Sequence, residues 1–133
     1  MRSFVAVDDC GTVINPIITE GQVHGGIAQG VGHALFEGVA FDEHGNLVTG
    51  NWTSYRIPAI SDVLPIDSVR TETPTPNNPL GVKGVGEAGA TGSTPAVANA
   101  VMDALTRLGL DEDDISMPYT PVKVWTAMRS VPT

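Results

Sequence analysis

The segment from Ile17 to Phe36 constrains the fold more than any other part of the chain, because it has the pattern of a helix that contains five glycines. Each glycine inside a helix is unfavourable by about 1 kcal/mol relative to alanine, so such a helix depends on tertiary contacts. The glycines form two neighbouring stripes, which are Gly21, Gly25 and Gly32 and, beside them, Gly26 and Gly30. We therefore expect another backbone, or a flat ligand, to approach this helix closely.

The length of 133 residues indicates one domain, residues 1–133. The 15 glycines and 10 prolines indicate that this domain contains many turns. Short apolar runs predict strands at 4–7 and 69–73. A hairpin is expected at 37–50, where Gly45-Asn46 suits a tight turn.

Two further helices are predicted toward the end of the chain. The first is expected to begin with Ser93 or Thr94 as its cap, with Pro95 in its first turn, and to end at Gly109. The second is expected over about 121–128, with Thr120 as its cap.

Charge and composition exclude several classes of function. The net charge of −8 is opposite to what binding to nucleic acid or to an anionic membrane surface requires. No apolar run is long enough to span a bilayer, and the first residues lack the apolar stretch of a signal peptide. A single cysteine, Cys10, allows no internal disulfide and no multi-cysteine metal site, and it indicates a cytoplasmic protein.

No protein metal ligands are expected. His24 and His33 are nine residues apart, about 180° apart around a helix, so they point to opposite faces. The acidic run 111–114 lacks the alternating ligands and central glycine of a calcium loop, so we interpret it as a solvated loop.

The segment 81–89 is rich in glycine, and Gly84, Gly86 and Gly89 match the dinucleotide-binding pattern G-x-G-x-x-G. That pattern requires a preceding strand, and here an extended, proline-rich segment precedes it. We interpret the match as accidental. A stand-alone nucleotide-binding protein is kept as an alternative hypothesis about function.

Glu87 is framed by these glycines just before a predicted helix. One role is a general base beside a bulky cofactor, because little side-chain bulk shields the carboxylate. The other is a surface carboxylate stabilised by the helix dipole, and the residues alone favour this second role. Gln22 and Gln29 lie on nearly one face of the glycine-containing helix, where each can bind a heterocycle or neighbouring backbone.

Taken together and in order, these motifs resemble one family. The motifs are Asp9-Cys10-Gly11 with Asn15-Pro16, the stretch 21–32 that begins with Gly21-Gln22, the stretch 78–89 that contains Lys83-Gly84-Val85-Gly86-Glu87, and Met117-Pro118 with Val124-Trp125. The chain resembles the C-terminal end of the molybdenum-binding large subunit of the xanthine dehydrogenase, aldehyde oxidase and carbon monoxide dehydrogenase family. The likeness extends from about Phe4 to Met128.

The resemblance implies an α+β fold, the last portion of the second molybdenum-binding domain, with helices packed on a small mixed sheet. Glu87 matches the family's catalytic glutamate, which reverses the preference given above, and Gln22 matches the glutamine that binds the pterin. Gly84, Val85 and Gly86 are expected near the cofactor. That cofactor would be molybdopterin, in its cytosine dinucleotide form, with molybdenum held by the dithiolene rather than by protein ligands.

The same resemblance implies partners. They are the remainder of the large subunit, iron–sulfur and flavin subunits that carry the clusters and FAD, and a small-molecule substrate that this segment does not identify. Because the family's subunit is several times longer, we expect the isolated chain to self-associate and to be inactive. The alternative is an orphan binding or assembly module without redox chemistry.

Overall fold

Three helices and two short strands form the regular structure of residues 2–63 and 65–131, the part of the chain that the computed structural model describes. In chain order they are β1 (Phe4–Asp8), α1 (Pro16–Leu35), β2 (Ile66–Arg70), α2 (Ala88–Thr106) and α3 (Pro121–Ser130). The expected α+β fold class is confirmed.

The two strands form a parallel pair, with Phe4 opposite Ile66. Phe4 and Ala6 point toward the main apolar core, while Val5 and Val7 are 62% and 63% exposed on the other face. Because parallel sheets are normally covered on both faces, the outer face of this pair has the character of a surface that packs against other polypeptide. The sequence placed the second strand three residues too late, at 69–73.

Helix α1 confirms the predicted glycine-containing helix. Asn15 caps it by accepting a hydrogen bond from the amide of Ile18, and a proline follows in the first turn. Its buried face and one residue of α2 form the main core, which consists of Val23, Ile27, Val31, Ala34 and Val97. This apolar contact supplies the tertiary support that a helix with five glycines requires.

Only one of the two glycine stripes of α1 makes a close contact with α2. A Cβ on Gly26 would lie 2.7 Å from the amide nitrogen of Ala90, and one on Gly30 would lie 2.8 Å from that of Thr94. Gly89 of α2 faces α1 in turn, and a Cβ on it would lie 3.0 Å from the amide nitrogen of Ile27. By contrast, a Cβ on Gly21 or Gly25 would meet nothing within 4 Å. Backbone contact between α1 and α2 therefore explains the stripe that contains Gly26.

The predicted start of α2 at Ser93 or Thr94 is wrong, because the helix already begins at Ala88 and Pro95 lies inside it. Ser93 is buried against α1 rather than placed at the helix end. The carbonyl of Thr91, which Pro95 cannot bond, belongs to an exposed residue where water can satisfy it. The close packing of Gly89 on α1 lets the helix begin before the local start signal.

The predicted hairpin at 37–50 is also wrong in part. Only an isolated bridge joins Phe41 to Leu47, and both side chains are more than half exposed. The turn itself forms, because the Asp42 carboxylate accepts hydrogen bonds from the amides of His44 and Asn46. With no core beneath it, the pairing does not extend into strands.

Helix α3 confirms the last predicted helix, and Thr120 caps it by accepting from the amide of Lys123. It covers a second, smaller core with the end of α2, formed by Met102, Leu105, Leu110, Ile115 and Ala127. The acidic run 111–114 lies between them as an exposed turn, in which Asp114 accepts from the amide of Asp111 at 2.8 Å.

Candidate functional site

The glycine-rich loop before α2 is anchored to the turn that follows β1. Gly11 and Val82 form an antiparallel bridge, and the amide of Lys83 donates to the carbonyl of Cys10 at 2.7 Å. Gly11 has φ +65°, and a Cβ there would collide with the carbonyl oxygen of Gly81. Only glycine fits at this contact, which explains the Asp9-Cys10-Gly11 motif in terms of backbone approach.

Asp9 adds side-chain bonds to the same anchor. Its Oδ1 accepts from the amides of Gly11 at 2.8 Å and Thr73 at 3.1 Å, and lies 2.9 Å from Nζ of Lys83. Its Oδ2 accepts from the hydroxyl of Thr71 at 3.3 Å. The bonds from Thr73, Lys83 and Gly11 hold the pKa of the Asp9 carboxyl well below its ordinary range. Asp9 is therefore an anion throughout neutral pH.

Gln22 reaches the same loop from α1. Its side-chain amide donates to the carbonyl oxygen of Gly86 at 2.9 Å, across 64 positions of sequence. The sequence left two partners open for Gln22, a heterocycle or neighbouring backbone, and the structure shows the hydrogen bond to backbone. Its Oε1 is not used by this bond.

Glu87 occupies the N-cap position of α2, but its side chain makes no capping hydrogen bond. The residue is exposed, as are Gly84 and Gly86, where an added Cβ would meet nothing within 4 Å. These three residues line an open cleft of about 510 Å³ together with the first turns of α2. The carboxylate is thus available to a group that enters the cleft.

Asp8, at the end of β1, lines the same cleft and was missed by the sequence analysis. Its Oδ2 is buried and has no hydrogen-bond partner within residues 2–63 and 65–131. A buried carboxylate oxygen without a donor is unfavourable, so the position suits a group that supplies one. The sequence contains one indication of this role, because Asp8 directly follows a predicted strand and precedes a second acidic residue, Asp9, in the turn.

The structure brings Gly84, Gly86 and Glu87 to one surface, as the sequence predicted. Val85 lies between them in sequence, but its side chain is half-buried against the main core, which leaves its backbone as the part near the loop surface. Gln29 is exposed and does not line the cleft. The dinucleotide-binding pattern lacks its strand, because only the single bridge at Val82 precedes the glycines.

Outside the four residues left undescribed, no group of three or more His, Cys, Asp or Glu side chains is placed to hold a metal ion. None of the described helices combines the length and the apolar character that crossing a bilayer requires.

The arrangement has a clear chemical capacity. A carboxylate without capping bonds projects beside bare backbone at the start of a helix, where amide groups of the first turn have no helical partners. Such a site can accept a proton at the carboxylate while the neighbouring amides bind a polar group.

Comparisons with known proteins give relatives that match nearly the whole chain and a family model that matches its first 65 residues. The family described as "Molybdopterin cofactor-binding domain" matches residues 1–65. The carbon monoxide dehydrogenase large chain of Hydrogenophaga pseudoflava is 40% identical over 129 residues, which are 97% of this chain and 16% of that protein. The nicotine 6-hydroxylase large subunit of Paenarthrobacter nicotinovorans is 42% identical over 126 residues, or 95% of this chain and 15% of that protein.

Solved structures give the same result. Quinoline 2-oxidoreductase from Pseudomonas putida 86 matches with a TM-score of 0.91 and 43% identity, and the match covers 98% of this chain and 16% of that one. The chain therefore spans 15–16% of the length of these relatives.

Proposed function

The chain belongs to the family of molybdopterin cofactor-binding domains, and on that premise we propose that it supplies the general base, Glu87, to the active site of a molybdenum hydroxylase. The observation that carries this proposal is the Glu87 carboxylate, which lies free of capping bonds in a cleft bordered by glycine backbone. The chain would be the C-terminal piece of the second molybdenum-binding domain.

The residues of the cleft fit a large polar cofactor. The backbone at Gly84 and Gly86 is open, and a side chain at either position would take up the space that such a group needs. The unpartnered Oδ2 of Asp8 offers an acceptor to a donor-bearing ligand. We assign contact with molybdopterin, in its cytosine dinucleotide form, to Gln22, Gly84, Val85 and Gly86. When bound, the cofactor supplies the molybdenum centre that takes up the two electrons of the oxidation.

Glu87 would accept a proton at its carboxylate from the oxygen nucleophile that attacks the substrate carbon. Three features of this chain support that role. The carboxylate carries no capping bond that would have to break, glycines keep its approach open, and α2 fixes the backbone directly after it. A positioned carboxylate of this kind contributes typically about 10²–10⁴-fold to rate.

The remaining partners follow from the length of the relatives. The chain spans 15–16% of their length, so we propose that regions corresponding to the rest of a large subunit complete the site. We propose that the complete enzyme contains the rest of that subunit and iron–sulfur and flavin subunits, and that it works in the cytoplasm. The named relatives act on carbon monoxide and nicotine, so we propose a small molecule with an electrophilic carbon as substrate.

Purification of the complex from its native source tests this function. We expect molybdenum and a pterin to co-purify with this polypeptide, together with iron–sulfur and flavin chains. A preparation that contains this polypeptide without molybdenum and without partner chains would instead favour the orphan binding or assembly module.

A further inference from the structure

We propose that Asp9 is a positioning residue for Glu87, and that it acts through Lys83 and the loop between them; this inference rests on the proposed function. Asp9 touches neither the cleft nor Glu87. Its carboxylate instead binds three separate stretches of chain, namely its own turn at Gly11, the segment at Thr71–Thr73 and the loop at Lys83.

The contact with Lys83 fixes both the backbone and the side chain of that residue. Its amide donates to the carbonyl of Cys10 at 2.7 Å, while its Nζ lies 2.9 Å from Oδ1 of Asp9. Both partners are partly shielded from water, with side-chain exposures of 36% for Lys83 and 24% for Asp9. An ion pair that shares its carboxylate with two backbone amides is more strongly oriented than a lone surface pair.

The distance along the chain from this anchor to the base is short. Only three residues, two of them glycines, separate Lys83 from Glu87. Gly84 and Gly86 have no neighbour at the Cβ position, so nothing beside them restricts the backbone. The path of this segment is set by its anchors, which are Lys83 on one side, the packing of Val85 on the main core, and the Gln22 bond and α2 on the other side.

The state of Asp9 suits this task. Hydrogen bonds from Thr73, Lys83 and Gly11 lower the pKa of its carboxyl, so the anion persists over the range in which a base such as Glu87 must work. The anchor therefore stays intact while Glu87 takes up and releases protons. A displacement of about 1 Å at a catalytic group can lower the rate by about 10²-fold.

The test compares Asp9→Asn, Lys83→Met and Lys83→Arg in the cofactor-loaded holoenzyme. Asn keeps the size of Asp and can still accept at Oδ1, but it loses the charge that attracts Lys83. The matched control is Asp103→Asn, which removes an exposed ion pair with Arg107 at the C-terminal end of α2, away from the cleft. Hydrogen exchange is measured beside turnover per bound molybdenum at the amides of Lys83 and Ala88, which flank the loop and donate to the carbonyls of Cys10 at 2.7 Å and Val85 at 3.3 Å.

We expect Asp9→Asn and Lys83→Met each to speed exchange of the Lys83 and Ala88 amides about tenfold and to lower kcat by about 10–100-fold, with KM and molybdenum content unchanged. The double variant should lose no more than either single one, because both remove one interaction. Lys83→Arg should retain most turnover, and Asp103→Asn should change neither measurement.

Unchanged exchange of the Lys83 and Ala88 amides in Asp9→Asn would overturn the inference, whatever happens to turnover. A loss of molybdenum or of overall stability that accounts for all of the lost turnover would also overturn it. If Glu87→Gln kept its turnover, the proposed function would fail, while the exchange measurement would still decide whether Asp9 positions the loop.

Discussion

The side-chain amide of Gln22 donates a hydrogen bond to the carbonyl oxygen of Gly86 at 2.9 Å, which ties helix α1 to the residue directly before Glu87. The bond leaves Oε1 of Gln22 free to accept from a ligand. Gln22 can therefore hold the loop with one end of its amide and contact the cofactor with the other. The two roles that the sequence left open are compatible in one side chain.

Substitution of Gln22 tests that dual role. In the assembled enzyme, Gln22→Leu should lower both molybdenum content and turnover, and the loss should be partial because a neutral hydrogen bond contributes about 0.5–1.5 kcal/mol. Gln22→Glu should lower turnover further, since it places a carboxylate against the Gly86 carbonyl. Gln29→Leu, on an exposed part of the same helix, is the control. Equal effects of the two leucine variants in metal analysis and kinetics would remove Gln22 from the site.

The contact between α1 and α2 leads to a prediction about stability. Gly26→Ala should lower the free energy of unfolding by about 1–3 kcal/mol, because the new Cβ would lie 2.7 Å from the Ala90 backbone nitrogen, which cannot move alone. Gly25→Ala, one position earlier, should raise it by about 0.5–1 kcal/mol, since nothing lies within 4 Å of the added Cβ. Thermal unfolding of the two variants measures the difference. Equal shifts would contradict the close approach of the two helices.

Much of this fold could be predicted from local patterns. Asn15-Pro16 and Thr120-Pro121 are strong start signals, and both helices begin where these signals place them. The start of α2 could not be predicted, because Pro95 imitates a first-turn proline and because the helix is extended by packing of Gly89 on α1, a contact between segments that are far apart in sequence. The nearby contact of Ser93 with Gly26 joins residues 67 positions apart. Tertiary contact overrides local preference there.

Only the local part of the candidate site could be predicted from the sequence. The glycine-rich loop with its carboxylate is a local feature, so the positions of Gly84, Gly86 and Glu87 could be recognised in the sequence. The position of Asp8 in the site could not be recognised from its place after a strand alone, because it depends on β1 ending beside the first turn of α2. The bond from Gln22 to Gly86 was also beyond reach, since it joins residues 64 positions apart.

The side chain of Tyr55 fastens the segment after the turn at 42–46 to the end of α1, because its hydroxyl donates to the Glu37 carboxylate. That hydrogen bond raises the pKa of Tyr55, and burial and the charge of Glu37 act in the same direction. The stabilisation is therefore present below about pH 10, the ordinary pKa of tyrosine, and is lost as the pH rises through the raised pKa.

Titration of tyrosine absorbance tests this prediction in a chain with two tyrosines. Tyr55→Phe should remove the component that ionises above pH 10, and Glu37→Gln should shift that component toward lower pH. A Glu37→Gln protein with an unchanged titration curve would show that the carboxylate does not control Tyr55.

Exposed apolar surface predicts the behaviour of the isolated chain. Ile17 and Ile60 are 84% and 91% exposed, and an apolar groove of about 450 Å³ lies between α2 and the start of α3. Such surface normally packs against other polypeptide. Light scattering should therefore detect self-association of the 133-residue chain despite its charge of −8. A stable monomer at high concentration would contradict the interpretation that this surface is an interface.

The substitution Glu87→Gln in the assembled enzyme tests the central claim most directly, because it keeps the shape of the side chain and removes its basicity. Glu112→Gln, in the exposed acidic turn, controls for the loss of one negative charge. We predict that Glu87→Gln lowers turnover by about 10²–10⁴-fold at unchanged molybdenum content, while Glu112→Gln retains full turnover. Turnover close to that of the unmodified enzyme in Glu87→Gln would contradict the account and reduce Glu87 to a surface carboxylate at a helix terminus.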